Sequence, residues 1–317
     1  MQSVSIVSVT MNPAVDLFAV TETIHADSKS RCDKALEEPG GGGINVARNI
    51  QRLGTNTLVV FPAGGLNGER LKQLLERDGC RFQAVSVASE TRQNFAITES
   101  STGAMHHFVF PGPDLSAAEL AACQQAIVGQ HPAPEYLVLS GSIPTSVPDN
   151  FYGELTQAAN AQGTKVVLDS SGRALRGALY RGAYLAKLNR YEFAELGYPT
   201  DAPIDELKRQ MAEEVAKGAV DVLIVTLARG GALLCSKDGE RYYFMPPPSP
   251  IVSHVGAGDS FVSALVFHLQ RGTPLREAFR YGIAAASTKV QTEGNQLTDF
   301  AKLAEVYAQT DTPRTES

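Results

Sequence analysis

Between Pro113 and Leu227 a helical pattern gives way to a short apolar strand four times over, and this rhythm constrains the fold more than any other feature of the chain. Helices over about 116–128, 148–161 and 203–217 lead to the strands EYLVLS (135–140), TKVVLD (164–169) and DVLIVTL (221–227). The stretch 171–180 leads in the same way to AYLAKLN (183–189). Strands this continuously apolar are covered on both faces, and helical crossovers make successive strands parallel. The expected fold is therefore α/β, a mostly parallel central sheet with helices on both faces. Such sheets take ligands beyond the C-terminal ends of their strands.

The first hundred residues are less regular. VSIVSVT (4–10) and TLVVF (57–61) suit strands. INVARNIQRL after Gly43 suits a helix stopping at Gly54, and GERLKQLLERDG (68–79) a second one. Short candidate strands follow at about 82–87, 93–98 and 105–110. The segments around 15–36 and 93–110 are short, alternating and more polar than the helix-alternating block. They read either as a small separate sheet acting as a lid or as ordinary edge strands. Helices over about 257–270, 274–291 and 298–308 close the chain, and the tail TPRTES reads as frayed.

Charge limits the ligand. With 28 Lys+Arg against 34 Asp+Glu the net charge is −6, so no global basic field points to nucleic acid. An anionic substrate has to be held by a few local cations. Cys32, Cys80, Cys123 and Cys235 form no CxxC pair and read as scattered buried thiols of a reducing cytosol. The opening residues lack a basic region followed by an apolar one, and no uncharged apolar run reaches the roughly 18 residues of a membrane span. A cytoplasmic protein without a membrane partner is the expectation.

Two glycine-rich turns stand out. Val255-Gly256-Ala257-Gly258-Asp259-Ser260-Phe261 opens a helix, where small residues let backbone amides converge on an anion. From Ser260 to Gln270 that helix carries no charged residue apart from a protonated His268, so burial is expected. Asp259 at its mouth has two open readings: a charge complementing the helix dipole, worth less than about 1 kcal/mol, or a general base beside a phosphate site. Pro39-Gly40-Gly41-Gly42-Gly43, just before Ile44-Asn45-Val46-Ala47-Arg48, allows either close backbone approach to a ligand or a flexible hinge. It is not the dinucleotide fingerprint, because Glu37-Glu38-Pro39 stands where that motif needs a buried strand.

Together with Asn12-Pro13-Ala14-Val15-Asp16, Thr91-Arg92-Gln93-Asn94, Ser140-Gly141-Ser142-Ile143-Pro144 and Lys187-Leu188-Asn189-Arg190-Tyr191-Glu192, these turns resemble the ribokinase-like carbohydrate kinase family, in its phosphofructokinase B type. The resemblance covers essentially the whole chain. It implies a single ribokinase-like domain over residues 1–317 with a β lid formed by about 15–38 and 92–110. It also implies transfer of a phosphoryl group from ATP to a sugar phosphate, fructose 6-phosphate foremost. Asp259 is then the base, and the amides of Gly256, Ala257, Gly258 and Asp259 are the anion hole. Asp16, Gly41, Gly42 and Asn45 hold sugar hydroxyls with Ser142 nearby, while Lys29, Arg31 and Arg92 contact the phosphate already on the substrate. Lys187, Asn189, Thr226, Gly231 and Gly258 border the nucleotide, the loop at about 289–295 flanks its adenine, and Glu192 orders Mg2+ through water. ATP and Mg2+ are the implied cofactors, with K+ at a monovalent-cation site. A homodimer through the packed lids is the implied assembly. For Lys29, Arg31 or Arg92 taken alone, a solvated surface charge is the commoner reading, and on spacing alone Asn189 and Glu192 read also as a turn residue and a helix-start glutamate.

Three positions depart from the family pattern. His254 replaces the usual threonine before Val255, Ala228 a glycine after Thr226-Leu227, and Leu188 a common proline before Asn189. The first two bear on nucleotide affinity and on the monovalent-cation site, and none removes a group that does chemistry. Gly42 stands where 1-phosphofructokinases and tagatose-6-phosphate kinases carry a lysine, which favours fructose 6-phosphate over those rivals. A catalytically silent sugar-phosphate sensor is the alternative from another class, opposed by the intact Gly256–Asp259 turn.

Overall fold

The computed structural model describes residues 4–33, 35–227 and 231–311; Ala228 and the tail TPRTES, both singled out above, lie outside them. The chain starts on β1 (Ile6–Val9), then leaves for β2 (Ala14–Thr21) and β3 (Leu36–Gly40) of a second sheet. It returns through α1 (Gly42–Arg52), β4 (Thr57–Ala63), α2 (Gly65–Arg77) and β5 (Phe82–Ser86), and completes the second sheet with β6 (Arg92–Glu99) and β7 (Ala104–Phe108). The predicted alternation then runs through α3 (Ala117–Val128), β8 (Tyr136–Ser140), α4 (Phe151–Asn160), β9 (Lys165–Asp169), α5 (Gly172–Ala178) and β10 (Leu185–Asn189). A short α6 (Arg190–Ala194), then α7 (Ile204–Ala216) and β11 (Val222–Thr226), complete it. β12 (Ala232–Ser236), β13 (Arg241–Phe244), α8 (Ala257–Gln270), α9 (Leu275–Lys289) and α10 (Phe300–Gln309) end the described fold.

The main sheet has nine strands in the order β13-β12-β11-β10-β9-β8-β1-β4-β5. From β11 to β5 every pairing is parallel, and β12 and β13 add an antiparallel edge. Successive side chains point to opposite faces, so Val7, Leu137, Leu168 and Leu223 pack with Phe151, Leu175 and Met211 from α4, α5 and α7. Ile6, Val138, Val167 and Ile224 meet Phe261, Leu265 and Phe279 of α8 and α9 on the other side. Both faces being dry explains why these strands read as unbroken apolar runs. α8 is buried along almost its whole length, as its uncharged sequence requires.

Of the two readings for 15–36 and 93–110, the separate sheet is the one that forms: four strands in the order β3-β2-β6-β7. Its base is fixed by Val15, which joins Ile44, Ala47 and Phe61 in a core cluster under α1 and α2. Two sequence expectations need correction. Glu37-Glu38-Pro39 is strand after all, antiparallel to β2 with Pro39 opposite Val15. β3 is a sheet edge, where a missing N–H costs nothing, and it belongs to the small sheet, so the dinucleotide motif still fails. Lys29 and Arg31, expected in a strand, lie in the irregular β2–β3 connection. The four cysteines are free, Cys32 exposed and the others buried. Among the described residues no helix is long and apolar enough to cross a membrane.

Candidate active site

β8, β9 and β10 end at one cleft of about 240 Å³, lined by Ser140, Gly141, Asp169, Lys187 and Glu192 from the sheet side and by Gly42, Gly256, Gly258 and Asp259 from the helices facing it. A larger pocket of about 900 Å³ adjoins it, with Lys187 and Gly258 forming walls of both. Strand C-terminal ends meeting helix N-termini is the arrangement that a parallel sheet offers a ligand.

Gly256 caps α8 with φ 76°, and a Cβ there would lie 2.4 Å from the Asn295 carbonyl oxygen, so the turn needs glycine for its backbone and for its packing. The Ala257 amide donates to the His254 carbonyl at 3.3 Å, so its hydrogen is already shared, and Ala257 lines the larger pocket. Gly258 and Asp259 stand in the first turn, where amides have no acceptor inside the helix. Asp259 is fixed by Asn45, whose Nδ2 donates to Oδ2 at 2.8 Å. Burial pushes the Asp259 carboxyl up to about 7, helped by the charges of Asp169 and Asp16 and opposed by the Asn45 hydrogen bond and Lys187. A carboxylate with that affinity suits proton abstraction near neutral pH.

Lys187 is buried and donates Nζ to Asp169 Oδ1 at 2.8 Å. Burial opposes its charge, but Asp169, Glu192 and Asp259 outweigh it and raise the ammonium above its ordinary value. A Cβ on Gly258 would sit 3.0 Å from Nζ, which places the ammonium beside the α8 turn. Asn189 and Glu192 form a reciprocal cap on α6: Asn189 Oδ1 accepts from the Tyr191 and Glu192 amides, and Glu192 Oε2 accepts from the Asn189 amide at 2.7 Å. The helix-start reading is therefore real, and Glu192 also lines the cleft. Its carboxyl is raised, first by burial and then by Asp169 and Glu195. Hard carboxylate oxygens such as those of Glu192 and Asp169 in this cleft are the donor set that Mg2+ accepts, so the residues present fit that ion.

Around the mouth of α1, a Cβ on Gly42 would lie 2.3 Å from Ser140 Oγ and 3.2 Å from Asp259 Oδ1, so this position is kept bare. Gly41, with φ 117°, caps α1. Asp16 accepts from Asn94 Nδ2 at 2.9 Å, and burial raises its carboxyl. Arg92 donates Nη1 to the Phe110 carbonyl and Nη2 to the Asn12 carbonyl, at 2.9 and 2.8 Å, while its buried Nε has no partner. Asn12 Nδ2 in turn donates to the exposed Ser142 hydroxyl at 3.1 Å, so Arg92, Asn12 and Ser142 form one polar corner.

Lys29 and Arg31 are not brought to this corner. Both are exposed, and the Arg31 carbonyl accepts from Thr21 at the far end of β2. Asp16 and Arg92 sit at the near ends of their strands. At about 3.3 Å per residue, the length of β2 separates the two cations from the cleft by roughly 20 Å. Thr226, Gly231, Asn189 and His254 line the larger pocket, as does Val290. Elsewhere in the 289–295 loop Glu293 is exposed, while Lys289 and Asn295 are fully buried. Leu188 is core, its carbonyl accepting from Thr226 Oγ1 at 3.3 Å. Sequence reasoning missed Asp169, Ser170 and Ser171, although a carboxylate ending an apolar parallel strand is a readable signal. Met245–Pro248, which no sequence motif marked, walls the larger pocket.

The model of the pfkB family carbohydrate kinases matches residues 1–301. ATP-dependent 6-phosphofructokinase isozyme 2 of Escherichia coli (strain K12) is 35% identical over 307 residues, 96% of this chain and 98% of that protein. The crystal structure of phosphofructokinase-2 from Escherichia coli in complex with substrates and products has a TM-score of 0.91 at 34% identity, covering 96% of this chain and 99% of that one. The same protein in complex with potassium has a TM-score of 0.90 at 33% identity, covering 96% and 98%.

Proposed function

This chain belongs to the pfkB family of carbohydrate kinases, and we propose that it is an ATP-dependent 6-phosphofructokinase, converting fructose 6-phosphate to fructose 1,6-bisphosphate. The observation that carries the reading is Asp259, held by Asn45 at the first turn of α8 and lining a small polar cleft that adjoins a larger pocket across Gly258 and Lys187. The larger pocket takes ATP, bordered by Thr226, Gly231, Asn189 and the Met245–Pro248 wall. The γ-phosphoryl lies over the amides of Gly258 and Asp259, beside Lys187, whose charge Asp169 keeps intact. Asp259 accepts the proton of the sugar hydroxyl as that oxygen attacks phosphorus in line, and the bond to the ADP oxygen breaks. Glu192 is the residue to hold Mg2+, through water, and that ion supplies neutralisation of the phosphate charge.

Asp16, Gly41, Gly42 and Asn45 face the sugar, and Arg92 with Ser142 takes its existing phosphate. The Nε of Arg92, buried and without a partner among the described residues, supports that role, because it is a strong donor left for a ligand. The small sheet acts as a lid, excluding water that competes as acceptor. It also joins two chains. Leu36, Phe108, Val109 and Phe110 expose about half their surface there, an apolar patch that a second copy covers, and Lys29 and Arg31 then serve the partner's site.

A coupled assay of ADP release across fructose 6-phosphate, tagatose 6-phosphate, fructose 1-phosphate and free fructose tests this. The expected result is the highest specificity constant on fructose 6-phosphate. A higher value on another phosphate reassigns the substrate, and no ADP release on any of them leaves the silent sensor.

A further inference from the structure

Lys289 ends α9 with its side chain fully shielded from solvent. Taking an ammonium out of water is costly unless it is paired, and nothing in the proposed reaction uses it. Its Nζ donates to the Thr292 carbonyl at 3.0 Å. The last carbonyls of α9 gather negative potential at this point, which a cation relieves. The loop that follows is tied to both halves of the site. The Val290 carbonyl accepts from the Val252 and Ser253 amides at 2.7 and 3.1 Å, in the segment leading to the α8 turn. Asn295 donates Nδ2 to the Pro39 carbonyl at 3.2 Å, and its own carbonyl oxygen packs against Gly256. A charge that fixes this loop thereby fixes the floor of the anion-binding turn.

We propose that the Lys289 ammonium is a built-in cation that organises the 290–295 loop beneath the Gly256 turn, so that this enzyme turns over without an exchangeable monovalent cation. The inference rests on the kinase reading. Lys289 is a positioning residue: it acts through the loop on the turn. An Escherichia coli relative has been solved with potassium, so a small monovalent cation is compatible with this fold, and a chain that carries its own buried one has no need of another.

Of the titratable groups on the elements around it, Glu38 on β3 is the one whose charge reaches it, and Arg48 on α1 pairs with Glu38 at 3.9 Å and with Asp78 beyond. Burial pushes Lys289 down to about 8, and Glu38 pulls the other way. The ammonium is therefore lost as pH rises through about 8. The sign for stability is opposite: above that pH the unfolded chain binds the extra proton, so this group's contribution to stability rises with pH. Loss of rate there is local and is not unfolding.

Wild type is assayed in choline chloride and in KCl across the alkaline range, with melting temperatures under each salt, beside Lys289→Met and Lys289→Ala. Equal wild-type rates in both salts, falling above about pH 8 while the fold stays intact, are expected. Lys289→Met should lose about 10²-fold in kcat, as a small misplacement of the turn does, and lose the alkaline fall. Lys289→Ala should be rescued by ammonium or potassium and not by choline, and potassium should raise its melting temperature. A wild type that needs potassium overturns the proposal, as does a Lys289→Met enzyme with full kcat and an unchanged alkaline limb. If no sugar phosphate is turned over, the kinase reading has failed. The melting curves then still decide Lys289, because potassium stabilising wild type above choline overturns it.

Discussion

In the cleft, the charged groups are held by neighbours of their own chain: Asp259 by Asn45, Lys187 by Asp169, Glu192 by Asn189. In the small sheet, Leu36, Phe108, Val109 and Phe110 stay half exposed, and Lys29 and Arg31 project from a connection roughly 20 Å from the site. The first region is preorganised, so its electrostatics are complete before any ligand arrives. The second is left open, and the proposed second copy of the chain is what would cover its apolar surface and use its cations. On the proposed reading, the contrast puts chemistry in the core of one chain and substrate selection in an element that a second copy completes.

The sharpest attack on the preorganised half is Asp259→Asn. Turnover should fall about 10²–10⁴-fold, the range for losing a general base, with Michaelis constants little changed in steady-state assays. A variant keeping more than a third of wild-type turnover would remove the base assignment. Because burial raises the Asp259 carboxyl to about 7, the folded state disfavours its charge: this contribution to stability is full below the unfolded value near 3.8 and is lost as pH rises through about 7. Asp259→Asn should therefore melt higher than wild type at pH 8, as calorimetry can read.

Arg92→Ala crosses the boundary between the two regions. Loss of one charge-assisted bond to phosphate, about 1.5–3 kcal/mol, predicts a drop of about 10- to 150-fold in kcat/KM on fructose 6-phosphate, with residual activity on free fructose barely moved. Since Arg92 also holds the Asn12 and Phe110 carbonyls, the melting temperature should fall as well. Equal losses on both sugars would mean that Arg92 only supports the lid. In the pH profile of kcat/KM, wild type should lose about tenfold per unit below pH 7 as Asp259 takes up its proton. A flat profile to pH 5 would break the link between burial and base strength.

The smallest effect tests the unfinished half. Lys29→Ala with Arg31→Ala should weaken fructose 6-phosphate by about tenfold, roughly one charged hydrogen bond. Leu36→Asp with Phe108→Asp should give a monomer by light scattering, and in that background the Lys29 and Arg31 changes should cost nothing further. A cost that persists in the monomer would show the cations acting within their own chain.

Legibility followed the physics of each element. The strands β8, β9 and β11 were readable because burial on both faces leaves no polar interruption, β10 in spite of Lys187 within it, and α8 because its charge-free run has nowhere else to go. β3 was not, since Glu37-Glu38-Pro39 looks like loop until the edge position that tolerates proline is known. β12 and β13 were missed because they follow the predicted rhythm without a helix between them. Asn189 and Glu192 carried two readings, and the helix cap and the place in the cleft turn out to be compatible.

By itself the sequence determined what short-range patterning encodes: a parallel sheet, two glycine turns opening helices, and a carboxylate at the mouth of an uncharged one. Tertiary structure decided what depends on distant segments meeting. It joined Asn45 to Asp259 across 214 residues of chain, stood Asp169 against Lys187, and sent Lys29 and Arg31 away from the cleft that their charge suggested. The reason is that side-chain type and spacing act along the chain, whereas proton affinity and ligand reach are set by burial and by neighbours that only the closed sheet brings together.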